Sequence, residues 1–194
     1  GEPGPAVALE AEKSALTIVG TRGRSVTAGL LLGSVARYLL RSVSRPVLAV
    51  HSPLPEVRRV VVGVDASPRS VSVVTAARAL ADATGARLVL VHVVGTDPNV
   101  ARSPEAFGVP ANVWADAVTA HAEDVFEPLR ALAGEADERV EYGVAAERLR
   151  AVAKAERAEV VAVGRIGSSG RDVDHWFSVA FSLAVQGPFA TLVV

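Results

Sequence analysis

The sequence repeats itself at a constant offset of 144 positions. Gly20 pairs with Gly164, Gly23 with Gly167, Ser34 with Ser178, Val35 with Val179, Ala36 with Ala180 and Leu39 with Leu183. The same offset aligns two apolar runs, residues 46–50 and 190–194. One shared glycine pair means nothing, but a gapless register from residue 20 to residue 50 means that one structural unit is used twice.

The later, longer stretch shows what that unit is. Residues 57–64 (VRRVVVGV) are a β-branched run with apolar residues on both faces, as a buried parallel strand requires. Ser67-Pro68 then reads as a helix start, residues 69–84 carry apolar side chains at helical spacing, and Gly85 stands where a left-handed cap is expected. A second strand follows at 86–94, a Pro/Gly loop at 95–112 and a helix at 113–133. Next come a strand at 138–144, a helix at 145–157, a strand at 160–163, a Gly/Ser loop at 164–170, a helix near 174–185 and a last strand at 190–194. Strands alternating with helices give an open, doubly wound, five-stranded parallel sheet.

The first fifty residues repeat only the back of that pattern: helix 7–13, strand 16–19, glycine loop, helix about 27–43 and strand 46–50. Residues 1–50 therefore read as the C-terminal half of one α/β domain, 51–56 (HSPLPE, two prolines) as a linker and 57–194 as a complete domain. The first two strands of the earlier unit are missing, which leaves either a truncated tandem protein or a domain completed from outside. A chain that opens on Gly1 and holds no methionine fits a sequence that does not begin where translation did. The expected packing joins 46–50 to 190–194, within the chain or across two chains, because it covers two strand edges.

Composition excludes several classes. Twenty basic against 21 acidic residues leave a net charge of −1, without the positive surplus a dedicated nucleic-acid binder needs. No cysteine means no disulfide, thiolate nucleophile or Cys-ligated metal, in keeping with a reducing cytoplasm. The longest apolar runs are about half of the roughly 20 residues of a membrane span, and no charged-then-apolar leader opens the chain. Four histidines, 51, 92, 121 and 175, lack metal-binding spacing. His92, inside an apolar strand, reads as a hydrogen-bonded core residue. Trp114 and Trp176 read as packing residues, and Ser168-Ser169 as turn residues without a nucleophile elbow around them.

The segment that carries chemistry is Gly20-Thr21-Arg22-Gly23, nine residues, then Gly33-Ser34, after a strand and at or near a helix start. Helix N-termini and side-chain-free loops offer backbone N–H groups to an anion. Arg22 and Arg24 could add charge-assisted bonds, although solvated arginines are the simpler reading. Gly33-Ser34 lies one or two turns into the helix, or at its start if residues 24–32 are loop.

This G-x2-G-x9-G-S pattern, followed by V-A-x2-L and a PV-containing strand, resembles that of the universal stress protein family. The VVVGVD-A-S-x2-S run at 60–70 resembles the family's first strand and helix start. The resemblance implies an adenine-nucleotide α-hydrolase-like fold and a non-enzymatic, cytoplasmic stress-response protein. Some members of that family bind ATP and others none; the resemblance implies ATP, with or without magnesium, at Gly20, Gly23, Arg24, Gly33, Ser34, Asp65, Val93, Gly164, Gly167 and Ser178. Pairing as a homodimer or tandem pseudo-dimer through last strands is also implied, with no nucleic-acid or membrane partner.

The second copy departs from the family pattern, because Phe177 stands where the third glycine belongs. Turn and packing roles are then the simpler reading of Gly164, Gly167 and Ser178. Asp65 is either a nucleotide contact or a helix cap, and whether it could serve the Gly20–Ser34 loop is open from sequence. The alternative function is an interaction module of the same fold that binds no nucleotide. An adenylating pyrophosphatase is disfavoured, since Asp65-Ala66-Ser67-Pro68 stands where its S-G-G loop would be.

Overall fold

The computed structural model describes residues 3–21, 32–95, 111–166 and 179–194. Seven strands form one sheet in the order β1-β2-β7-β6-β3-β4-β5. They are β1 (Thr17–Gly20), β2 (Val47–Val50), β3 (Arg59–Val64), β4 (Arg87–Val94), β5 (Ala136–Tyr142), β6 (Val160–Val163) and β7 (Ala190–Val193). The helices are α1 (Pro3–Ala11), α2 (Ser34–Ser42), α3 (Arg69–Thr84), α4 (Ala111–Ala133), α5 (Ala145–Glu156) and α6 (Val179–Gln186). Every neighbouring pair of strands is parallel except β2 and β7, which run antiparallel.

The five strands of residues 57–194 thus occupy one continuous stretch, β7-β6-β3-β4-β5, and β2 and β1 extend it. Both faces of the central strands are covered, which is why β3, β4 and β6 read as unbroken apolar runs. On one face Leu39 and Leu40 of α2, Leu149 and Val152 of α5 and Leu183 of α6 pack over Val47, Val61, Val161 and Val193. On the other, Val73, Val74 and Ala77 of α3 and Phe126 and Leu129 of α4 cover Val60, Val62, Leu88, Val160 and Ala162.

The repeat holds at the level of single hydrogen bonds. The Thr21 N–H donates to the Val50 carbonyl at 2.8 Å, and, 144 positions on, the Arg165 N–H donates to the Val194 carbonyl at 2.8 Å. The two terminal runs of the repeat pair with one another inside the chain, Val47 with Val193, Leu48 with Leu192 and Ala49 with Thr191. Both edges of β2 and of β7 are thereby filled.

Several boundaries differ from the sequence reading; the helix expected at 7–13, for one, is Pro3–Ala11. The strand expected at 138–144 is Ala136–Tyr142, because its register against β4 starts at Leu88↔Ala136 and Gly143, at φ +128°, turns the chain away. The helix expected from about residue 27 starts at Ser34 after Gly33, so Arg24–Leu32 is not a described part of that helix. Ser67 is not the cap of α3: Pro68 takes the cap position without a side-chain bond, and Ser67 donates instead to Asp65. Gly85, at φ +73°, ends α3 as expected of a residue with no Cβ.

Candidate functional site

Gly20 ends β1, and its neighbour Thr21 is buried at 2% exposure. The Gly33 N–H donates to the Thr21 carbonyl at 2.9 Å, so residues 21 and 33 clasp the two ends of the intervening segment. Gly33 is the N-cap of α2 at φ −56°, ψ 149°, a conformation any residue adopts. What glycine contributes there is an absent side chain rather than a special backbone angle. Ser34 is the first helical residue and is exposed; among the described residues no side chain caps the helix, and no acidic residue stands in its first turn. Uncapped N–H groups at a positive helix end are suited to an anion.

A pair the sequence reading missed stands beside this start. Thr21 Oγ1 lies 2.8 Å from His51 Nδ1, thirty residues on. The signal was available: once strands 16–19 and 46–50 are laid parallel, the residues after them become neighbours.

A second group gathers at the C-terminal ends of β6, β3 and β4. Gly164 follows β6; a Cβ on it would meet the Ile166 carbonyl oxygen at 3.3 Å and Val73 Cγ2 at 3.5 Å. Asp65 follows β3. Its Oδ1 accepts the Ser67 N–H at 3.0 Å and the hydroxyls of Ser67 and Ser70 at 2.6 and 3.1 Å, which ties down the entry to α3. Val93, near the end of β4, is half-buried against the core containing Val61 and Val91. His92, buried, places Nδ1 3.0 Å from the Val64 carbonyl oxygen, and its ring meets that of His121 edge-on at 5.2 Å.

The two groups do not meet. Strands β2, β7 and β6 separate β1 from β3, about 19 Å at four strand spacings. Because β2 reverses direction against β7, Gly20 also lies at the opposite end of the sheet from Asp65 and Gly164. Asp65 therefore stands far from Gly20 and Thr21 within one chain. Arg22, Gly23, Arg24, Gly167, Phe177 and Ser178 lie outside the described residues.

The universal stress protein family model matches residues 1–51 and 56–194. The chain belongs to the universal stress protein family. A universal stress protein of Mycobacterium tuberculosis is 34% identical over 95 residues, 46% of this chain and 32% of that protein. This match spans about a third of the length of the curated relative.

A universal stress protein structure from Archaeoglobus fulgidus superposes with a TM-score of 0.68 at 22% identity, covering all of this chain and 65% of the other. It establishes the fold. A universal stress protein solved in complex with cAMP matches with a TM-score of 0.53 at 25% identity, over 72% of this chain and 98% of its own. Among the described residues no helix is long and apolar enough to cross a membrane, and no cluster of three or more metal-ligating side chains is formed.

Proposed function

We propose that this universal stress protein is a cytoplasmic, non-enzymatic stress-response protein that binds an adenine nucleotide, ATP with magnesium as its counter-ion, at the Gly20–Ser34 loop. The observation that carries the reading is the start of α2. Gly33 has no side chain with which to cap the first helical N–H groups and is held against the end of β1 by its bond to Thr21. A phosphate chain supplies the missing acceptors there. Thr21 and His51 stand beside the loop as further polar groups. Family membership and a relative that holds an adenine nucleotide, cAMP, point the same way. In this reading the nucleotide is a ligand that orders the loop rather than a substrate; the Thr21 hydroxyl, 2.8 Å from His51 Nδ1, belongs to a side chain buried at 2% exposure.

Titration calorimetry with MgATP tests this. Saturable binding at one site per chain is expected, weakened at least about tenfold, or about 1.4 kcal/mol, by Gly33→Phe. Sustained ATP hydrolysis that Gly33→Phe abolishes would overturn the ligand role.

A second reading is an interaction module of the same fold without a nucleotide. It is favoured by Asp65, whose Oδ1 is engaged by Ser67 and Ser70 and acts as a helix anchor. Absence of any binding heat, with the fold intact, would select it.

A further inference from the structure

The two copies of the repeated unit differ at one helix end. At the 144-residue offset Lys154 matches Glu10 and Arg157 matches Lys13. In the earlier copy these positions hold an acid and a base, and Lys13 Nζ bonds Glu10 Oε1 at 2.8 Å. In the later copy they hold two exposed cations, three residues apart at the end of α5. Like charges at that spacing repel. Among the described residues neither side chain has a hydrogen-bond or ion-pair partner.

Both cations line a hollow of about 260 Å³ between the end of α5, residues 51–55 and residues 188–190. The rest of its wall is largely apolar, with Leu54, Ala153, Pro188 and Phe189. Phe189 is buried at 5% exposure, and a Cβ on Gly187 would collide with its ring, so that wall is fixed. The one acid in the lining is Glu159, whose Oε2 accepts the N–H groups of Arg58 and Arg59, both at 2.9 Å. Arg157 is also held at a cost. Its φ of +53° makes it the one left-handed residue other than glycine among the described residues, at the cap position that Gly85 fills for α3. Strain of this kind gathers at functional sites. A helix C-terminus explains positive charge in general. It does not explain why the acid of the earlier copy is replaced by a lysine where the chain forms a hollow.

We propose that this hollow is a binding site for a small aromatic carboxylate. The planar guanidinium of Arg157 matches the two oxygens of a carboxylate, and Lys154 adds a point charge beside it. The ring of the ligand lies against Phe189, Pro188 and Leu54, whose faces are apolar. The volume is just under the roughly 300–1,000 Å³ of pockets that hold drug-sized ligands, which fits a molecule of one or two rings. The site is separate from the Gly20–Ser34 loop and does not depend on nucleotide binding.

The test is an NMR titration of the 194-residue chain, without nucleotide, with indole-3-carboxylate. Saturable shifts are expected at amides within 51–55, 153–159 and 189–190. Indole-3-carboxamide, the same shape without the charge, is expected to bind at least about tenfold more weakly, and Arg157→Gln to weaken the carboxylate by a similar factor. Lys154→Glu, which restores the acid–base pattern of the earlier copy, should abolish binding and leave amides away from the hollow where they were. Gly33→Phe should leave binding intact. Shifts that do not saturate overturn the proposal. So does equal affinity for the two probes, which makes the hollow merely apolar, and so does loss of binding in Gly33→Phe, which moves the carboxylate to the loop. Phenyl phosphate bound at least about tenfold more tightly than benzoate would assign the two cations to a phosphate ester instead.

Discussion

Leu48 and Leu192 face each other across the antiparallel join of β2 and β7, and each is the other's counterpart in the 144-residue repeat. Their neighbours obey the same rule in reverse: Val47 faces Val193, and Ala49 faces Thr191. A repeat whose counterparts meet only at one pair has a local two-fold axis passing through that pair. The join between residues 1–50 and 57–194 is therefore isologous, built from the same strand used twice, the arrangement that symmetric dimers use between chains.

Both leucines are nearly inaccessible, at 2% and 1% exposure, and lie in the same core cluster. Leu48→Ala and Leu192→Ala are each expected to destabilise the fold by about 2–5 kcal/mol. Because the residues touch across the axis, the double variant should cost less than the two losses added. Chemical denaturation of the four proteins measures this. Full additivity would mean that the pair is not coupled.

This join was legible from residues alone, because the repeat singled out 46–50 and 190–194 and apolar strands demand a partner. The direction of pairing was not. Register and direction depend on which backbone groups face each other, and no periodicity in VLAV or ATLV encodes that. The consequence for the site was large, since the reversal at β2 carries Gly20 to the far end of the sheet from Asp65. Helix starts were partly legible. From residues alone Gly33-Ser34 reads equally as the interior or the start of a helix, and the fold puts it at the start. Asp65 was ambiguous because an aspartate two residues before another polar N–H serves a cap and a ligand equally well. The Thr21–His51 contact needed the pairing of β1 with β2 before its thirty-residue separation could close.

Glu12 offers a pH-dependent contact between α1 and the turn before β2. The hydroxyl of Ser44 donates to its Oε2 at 2.6 Å and the Ser44 N–H to its Oε1 at 2.7 Å. These bonds, the side-chain one first, hold the Glu12 carboxyl below the usual glutamate range, with Arg45 and Arg165 adding to the effect. A carboxyl depressed in the fold stabilises it above the unfolded value of roughly 4.3 and loses that contribution as pH falls through the folded value. Ser44→Ala should therefore raise the Glu12 pKa toward the ordinary range and flatten the loss of stability below that pH. Carbon-detected NMR titration of the Glu12 carboxyl checks the first, and an unchanged midpoint would show that Ser44 is not the cause.

Gly63 is fixed by space rather than by backbone angle. A Cβ added there would stand 2.9 Å from Leu149 Cδ1 and 3.1 Å from Val163 Cγ1, so α5 packs directly onto the backbone of β3. Gly63→Ala is expected to destabilise by about 1–3 kcal/mol through overpacking. Pairing it with Leu149→Ala, which opens room at the same point, should recover part of that loss. Denaturation midpoints that show no such recovery would place the strain elsewhere.

The separation of Gly20 from Asp65 makes the proposed site testable by two variants that should behave differently. Asp65→Ala removes the acceptor of the Ser67 and Ser70 bonds and is expected to cost about 1 kcal/mol of stability, as loss of a helix anchor does. It should leave MgATP affinity unchanged, because three strands and the reversal at β2 lie between it and the Gly20–Ser34 loop. Thr21→Val keeps the side chain's shape at that loop but removes the hydroxyl that meets His51. Its cost in stability should be similar, about 1 kcal/mol, and it should weaken nucleotide binding several-fold as the loop loses its polar wall. Calorimetric titration of both variants decides between the two ends of the sheet. If Asp65→Ala lowers affinity and Thr21→Val does not, the nucleotide sits at the β3, β4 and β6 ends, beside Val93 and Gly164.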